Sequence, residues 1–390
     1  MRLLSVFGTR PEAIKMAPVL RALAAEPGVE SLVCVTGQHR DLLDRLLGLF
    51  GIAPDFDLDL MAPGQPLNAF VGRAIERLDA VLAAAAPDRV IVQGDTTSAT
   101  AAAFAAFHRG IPVAHVEAGL RTYAQYSPWP EETNRRAIDL IADLHFAPTA
   151  AARDNLAGER LHGAAWVTGN SGIDALLDMA ARLEREPALR RSADAALAGV
   201  AARRRLVLVT GHRRESFGAP LSSVCAALAA LARRGDVAIA FPTHPNPGAR
   251  DPAERALAGV DGVTLLPPLD LPAFVRLMQR ADLVVTDSGG VQEEAVALAK
   301  PLLVIRDATE RPEAVRAGAA RLVGTRRDRI ARQIGALLDE ADPGARFARC
   351  PTLFGDGRAA ARIVDVLLGR PVAEFDPAPR DPPQVTVAAE

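Results

Sequence analysis

The chain has 390 residues, too many for one ordinary core and enough for two domains. Apolar residues make up 49% of it, which supplies two buried cores and excludes wholesale disorder. With 45 basic against 47 acidic residues the net charge is -2, which argues against bulk electrostatic binding to nucleic acid.

The opening segment MRLLSVFGTRPE has no long apolar run of the kind a secretory leader needs, and residues 3–7 read as a first strand. Short apolar, β-branched runs then alternate with Ala- and Leu-rich helical segments. Further strands are expected at residues 31–36, 89–93, 113–117 and 144–146. After a charged, Ala-rich interval at 171–205, read as a helix and then a loop, come 206–210, 237–241, 263–266, 283–286 and 302–305. Such alternation predicts βαβ units, hence an α/β chain with two parallel sheets of about five strands and helices on both faces. The division is expected at residues 1–170 and 171–356, with a hinge in the interval and a ligand in a cleft between the two. Residues 359–368 read as an amphipathic helix, and the Pro- and Asp-rich stretch 371–390 as a disordered tail. No apolar stretch approaches the roughly 18 residues of a membrane span. Cys34, Cys225 and Cys350 lie far apart in odd number, which suits a reducing, cytoplasmic compartment. No CxxC or HExxH spacing supports a metal, and no GxGxxG or Walker sequence supports a nicotinamide or P-loop nucleotide.

In open α/β sheets, ligands gather beyond the carboxyl ends of the strands. After the first strand stands Gly8-Thr9-Arg10-Pro11-Glu12, with Thr9 placed to cap a helix at 13–25 and Arg10 and Lys15 adding two cations. That turn reads either as an anion socket or as a glycine turn with two solvated cations. In the second half, Gly211-His212-Arg213-Arg214-Glu215 and Asp287-Ser288-Gly289-Gly290 follow strands, and Glu293 or Glu294 one turn later could accept a ribose diol. Arg311 follows the last strand, so three anion-friendly ends in one domain suggest a diphosphate. The first half offers acids instead: Asp95, Glu117 and Glu131. Asp95 and Glu131 could cap helices, and Glu131 could pair with Arg135, whereas Glu117 ends an apolar strand, where a carboxylate needs a partner or a chemical task.

At this point the sequence resembles a family, the non-hydrolysing UDP-N-acetylglucosamine (UDP-GlcNAc) 2-epimerases of bacteria. The matching segments include FGTRPEAIKMAPV, VTGQHRDLLD, QGDTTSATAAAFAAF, PVAHVEAGLRT, YSPWPEETNR, LVTGHRRESFG, PTHPNP, TDSGGVQEEA and RDATERPEAVRAG, in family order over roughly residues 1–368. The resemblance implies two Rossmann-like domains of GT-B type, with a C-terminal helix at about 357–370 crossing back onto the first. It implies reversible conversion of UDP-GlcNAc to UDP-ManNAc by elimination of UDP and its re-addition, with no cofactor, supplying cell-surface polysaccharide precursors. A homodimer is also implied. Carried over motif by motif, Asp95, Glu117 and Glu131 match the catalytic carboxylates, and His212 the histidine near the leaving UDP. Arg10, Lys15 and the Ser288-Gly289-Gly290 turn match diphosphate-binding positions, Glu294 the ribose-binding glutamate, Arg311 a ligand-binding arginine, and Leu269 and Phe274 the uracil contacts. Gln38, Arg213 and His244 match the site of a second, activating UDP-GlcNAc, although Asp41 and Gly64 depart from the family's pattern there. The rival expectations are a hydrolysing epimerase, a GT-B glycosyltransferase and a non-catalytic nucleotide-sugar sensor.

Overall fold

A computed structural model describes residues 1–37, 40–62, 64–201, 205–211, 218–243 and 247–377. Two compact units emerge. The first comprises Met1–Ala175 and Phe354–Asp376, and the second takes in Leu176–Leu353.

The first unit alternates strand and helix: β1 (Arg2–Phe7), α1 (Arg10–Ala24), β2 (Glu30–Val35), α2 (Arg40–Phe50), β3 (Phe56–Asp57), α3 (Leu67–Ala85), β4 (Arg89–Gln93) and α4 (Thr97–His108). It continues with β5 (Val113–Val116), α5 (Glu131–Ile141), β6 (Leu144–Ala147), α6 (Ala150–Glu159), β7 (Ala164–Val167) and α7 (Ser171–Arg185), inside which the units divide. The second unit holds α8 (Pro187–Ala196), β8 (Arg205–Thr210), α9 (Ala219–Ala232), β9 (Val237–Pro242), α10 (Pro247–Leu257), β10 (Val263–Leu266), α11 (Leu271–Arg280) and β11 (Leu283–Thr286). There follow α12 (Gly289–Ala297), β12 (Leu302–Val304), α13 (Pro312–Arg316), β13 (Arg321–Leu322) and α14 (Arg327–Leu338), and then α15 (Ala359–Leu367), which returns to the first unit.

Both sheets are parallel throughout, in the orders β3-β2-β1-β4-β5-β6-β7 and β10-β9-β8-β11-β12-β13. Strands covered by helices on both faces must be apolar along their whole length, and residues 3–7 are indeed all buried, with the hydroxyl of Ser5 left unpartnered. One face of the first sheet packs Leu4, Val6, Val90 and Val92 against Phe70, Ala74 and Leu78 of α3 and the alanines of α4. The second sheet packs Val207, Val209 and Val285 against Leu221, Val224 and Leu228 of α9 and Ile330 and Ile334 of α14. In each sheet the winding reverses between a central pair, β1 and β4 or β8 and β11, so the connections leaving their carboxyl ends run to opposite sides and leave a crevice.

The ten expected strands are all present, but the sheets hold seven and six strands rather than about five each. Three strands escaped the reading because they carry little pattern. β3 and β13 have two residues apiece, and β7 is AAWV, poor in β-branched residues. The expected loop before residue 205 contains α8, because Pro187 starts a helix at its first position instead of breaking one. Arg276 of α11 pairs with Asp194 at 2.8 Å and ties α8 down.

The expected C-terminal helix is α15, packed on α1. Residues 371–376, assigned to the tail by composition, lie on the first unit. Phe375 is buried, its N–H donates to the Val167 carbonyl at 2.7 Å, and the Arg362 guanidinium sits 5.5 Å from its ring centroid. Among the described residues no helix is long and apolar enough to cross a membrane.

Candidate active site

In the first unit, the reversal between β1 and β4 gathers most of the residues singled out from sequence. Gly8 follows β1, and a Cβ there would lie 2.0 Å from the Thr36 hydroxyl and 2.6 Å from that of Ser98, so only glycine lets β2 and α4 approach this closely. Thr9 caps α1, accepting from the Glu12 N–H at 3.4 Å. Glu12 answers by accepting from the N–H groups of Thr9 (2.7 Å) and Gly8 (3.1 Å), and from the Thr96 hydroxyl at 2.6 Å. Thr96 in turn caps α4. Burial pushes the pKa of Glu12 up against the pull of these hydrogen bonds. One buried carboxylate therefore joins the two helix N-termini that flank the crevice. Sequence reasoning missed it, although the spacing Thr9-x-x-Glu12 is the signature of a capping box.

Lys15, one turn into α1, reaches the end of β5 and meets both oxygens of Glu117, at 2.5 and 2.6 Å. The Gln93 amide, at the end of β4, donates to the same carboxylate. The partner that a carboxylate at the end of an apolar strand demanded is thus a lysine. Glu117 also holds a left-handed backbone, with φ +69°. Side chains take that conformation at a cost of about 1–2 kcal/mol, and it is the kind of strain found at functional positions.

Asp95 follows β4 through Gly94, whose φ of +67° turns the chain out of the sheet. The Asp95 carbonyl accepts from Asn134 at 2.9 Å, and its carboxylate pairs with Arg135, both on α5. Glu131 is the first residue of α5, and its Oε2 is buried without a hydrogen-bond partner among the described residues. The capping readings for Asp95 and Glu131 do not hold, since Thr96 and Pro130 occupy the cap positions. Nor does Arg135 turn to Glu131: it pairs with Asp95 and, at 3.5 Å, with Glu132. Glu132, itself buried, accepts from the N–H groups of Thr122 and Tyr123 at 3.0 Å each and so fixes the loop after Glu117. Two sets of contacts result: Lys15–Glu117–Gln93, and Asp95 with Asn134 and Arg135 of the helix that starts with Glu131. One carboxylate paired with lysine, one with arginine and one with an unpartnered oxygen form a set suited to moving protons.

In the second unit, β11 ends in buried Asp287, and Ser288 caps α12 by accepting from the Val291 N–H at 3.5 Å. The Ser288 N–H donates to Thr286 at 2.9 Å, and Thr286 meets Thr210 of β8 at 2.6 Å, which joins the two strand ends at the reversal. Gly289 is buried, whereas Gly290 is exposed, and a Cβ added to it would meet no atom within 4 Å. Among the described residues nothing requires glycine at 290. Arg311, before α13, pairs with Glu293 and donates to the Glu310 carbonyl at 3.3 Å. Glu294 is half-buried on α12, Leu269 is buried, and Phe274 is half-buried on α11. A capped helix N-terminus with a bare glycine edge and a nearby guanidinium is suited to an anion. Gln38, His212, Arg213 and His244 lie outside the described residues.

The comparisons with known proteins bear directly on this arrangement. A family model described as UDP-N-acetylglucosamine 2-epimerase matches residues 21–368. The chain belongs to that family. The UDP-N-acetylglucosamine 2-epimerases of Escherichia coli K12 and Yersinia pestis are each 48% identical to it over 369 residues, 94% of this chain and 98% of theirs. Among solved structures, the UDP-GlcNAc 2-epimerase of Neisseria meningitidis, bound to UDP-GlcNAc, superposes with a TM-score of 0.90 at 41% identity, covering 95% of this chain and all of that one. The enzyme of Methanocaldococcus jannaschii, in complex with UDP-GlcNAc and UDP, gives 0.81 at 30% identity, covering 95% of this chain and 100% of that one. The two Rossmann-like parallel sheets expected of a GT-B epimerase are therefore those of the family, and the chain is an isomerase by kinship.

Proposed function

We propose that this chain interconverts UDP-GlcNAc and UDP-ManNAc by inversion at C2 without net hydrolysis. The C2 proton is not next to a carbonyl, so simple removal and return would be far too slow. Loss of UDP supplies the way round. A carboxylate takes the C2 proton as the C1–O bond to UDP breaks, leaving a C1=C2 double bond in 2-acetamidoglucal. UDP oxygen then re-adds to C1 while a carboxylic acid delivers a proton to the opposite face of C2. Atoms balance, and no oxidant, metal or cofactor enters the scheme.

The observation that carries this reading is the presence of three carboxylates, Asp95, Glu117 and Glu131, after β4, after β5 and at the start of α5 in the first unit. A glycosyltransferase needs no such set of acids around its donor sugar. Glu117 and Asp95 are assigned to proton transfer with Glu131 in support, and Arg10 and Lys15 to the diphosphate. In the second unit the Ser288-Gly289-Gly290 turn and Arg311 would hold the diphosphate, Glu294 the ribose, and Leu269 and Phe274 the base. A bare Gly290 then has its reason, since a phosphate approaches where a side chain would stand. His212 is assigned beside the leaving UDP. The two solved relatives bound to UDP-GlcNAc support the choice of substrate.

The same reading makes the enzyme a cytoplasmic homodimer that feeds cell-surface polysaccharide synthesis. Support for the dimer is an apolar patch in the first unit: Phe104 and Phe107 on α4 and Leu140 on the adjoining α5 are 37, 59 and 67% exposed. A second UDP-GlcNAc as activator, held by Gln38, Arg213 and His244, rests on kinship. It predicts that UDP-ManNAc alone is converted slowly until UDP-GlcNAc is added.

Proton NMR of UDP-GlcNAc with enzyme in deuterated water tests the chemistry. UDP-ManNAc carrying deuterium at C2 is the expected result. Accumulation of free ManNAc with UDP would establish the hydrolysing reaction instead, and the absence of both UDP-ManNAc and C2 deuterium would end the proposal.

A further inference from the structure

Beneath the three acids lies a buried charged cluster to which the scheme above gives no role. His115, on β5, and Asp139, on α5, are both fully buried, with His115 Nδ1 2.6 Å from Asp139 Oδ1. The other ring nitrogen, Nε2, lies 2.7 Å from the Gly94 carbonyl. Asp139 Oδ2 accepts from the Arg121 guanidinium at 2.8 Å and the Gly119 N–H at 3.3 Å, and the Asp139 carbonyl meets His145 Nε2, from β6, at 2.9 Å. Arg121 reaches on to Glu159 of α6 at 2.8 Å, where Arg136 stands 3.9 Å away. These are the charged and titratable groups facing the dyad from β5, α5, β6, α6 and the loop after Glu117.

Hydrogen-bond chemistry fixes one proton on the ring. A carbonyl oxygen only accepts, so Nε2 carries a hydrogen. Asp139 is a carboxylate: burial opposes its charge, but His115, Arg121 and His145 outweigh burial and hold its pKa below the ordinary range. Arg121 is shared between buried Asp139 and half-buried Glu159 and offsets their charge.

The connections matter as much as the charges. Gly94 precedes Asp95, Gly119 follows Glu117 by two residues, and α5 begins with Glu131. We propose that His115 is a positioning residue which, by joining the Gly94 carbonyl to Asp139, clamps the three backbone segments carrying Asp95, Glu117 and Glu131 into one fixed spacing. The inference rests on the reading of those acids given above. It adds a residue that touches no substrate yet sets where the proton-transferring groups stand. Misplacing a reacting group by about 1 Å can cost roughly 10²-fold in rate.

Two substitutions separate the contacts. Gln can place a donor near the Nε2 position and keep the Gly94 contact, whereas Asn places one near Nδ1 and keeps only the Asp139 contact. Without His115, Asp139 keeps its contacts to Gly119 and Arg121, whereas the Gly94 carbonyl loses the donor beside Asp95. We therefore expect His115→Gln to hold kcat within about tenfold and His115→Asn to lose about 10²-fold, each with KM for UDP-GlcNAc within threefold of wild type. Filling buried space alone would give no such order. Equal kcat in both variants, or loss expressed in KM, would overturn the clamp. Should neither variant fold, ¹⁵N–¹H spectra of the histidine-labelled wild-type protein at pH 7.5 decide. A proton on Nε2, protected from exchange in a ring held against a backbone carbonyl, supports it, and a ring whose Nε2 bears no such proton refutes it. That spectrum does not depend on turnover. An inactive wild type would sink the epimerase reading while leaving this result to stand or fall by itself.

Discussion

Glu117 shows most sharply how function loads a single position. Its backbone sits at φ +69°, which a glycine would adopt without strain, yet a carboxylate stands there and is met by Lys15 and Gln93. Two substitutions should separate the costs. Glu117→Gln keeps the strain and removes the base, so kcat should fall by about 10²–10⁴-fold with the fold intact by circular dichroism. Glu117→Gly removes both, and should be about 1 kcal/mol more stable to urea than Glu117→Gln while equally inactive. Turnover near wild type in either variant would remove Glu117 from the chemistry. A Gln variant at least as stable as the Gly variant would show that the conformation carries no strain.

At the scale of elements, helix ends do much of the positioning. The capping box of α1 satisfies backbone N–H groups beside the crevice, so Thr9→Ala should destabilise the protein by about 1 kcal/mol in urea titrations. No change would mean that Glu12 alone holds the turn. At the other end of the chain, α15 has no side-chain cap of its own. Its first N–H groups, those of Ala359 and Ala360, donate to Asp174 of α7 at 3.2 and 2.8 Å. Burial pushes Asp174 up to about 6, against the pull of those two donors, and the neighbouring Asp356 carboxylate adds to the rise. A carboxyl with a raised native pKa binds its proton more tightly folded than unfolded. Its contribution is therefore complete below the unfolded value near 3.8 and is lost as pH climbs through about 6. Asp174→Asn should remove that slope, narrowing the difference in stability between pH 4 and pH 7 by up to about 3 kcal/mol. Parallel pH curves for variant and wild type would contradict this.

At the scale of the whole molecule, the exposed aromatic pair on α4 carries the dimer reading. Phe107→Asp places a charge at the 59% exposed ring and should shift sedimentation from dimer to monomer with unchanged helix content. A variant that still sediments as a dimer would move the interface elsewhere.

The amino-acid sequence by itself determined the architecture, because period and punctuation suffice for it: apolar runs of three to six residues alternating with Ala-rich helices specify parallel sheets, and all ten runs are strands. It also pointed to Asp95, Glu117, Lys15 and Ser288, since strand-end positions can be read once the strands are known. The two-residue edge strands were illegible, and so was α8, because propensity over a few residues is weaker than the tertiary contacts that hold them. Pairings were illegible for a further reason. Lys15 meets Glu117 across 102 residues of chain, and Arg135 meets Asp95 across 40. Local spacing instead suggested Glu131 for Arg135, and caps for two acids that do not cap. Only the folded sheet decided those partners, and only it brought His115, a polar residue inside an apolar strand, against the carbonyl of Gly94 and the carboxylate of Asp139. Periodicity fixes which face a residue takes, whereas the charge it meets there depends on which strands the winding places side by side.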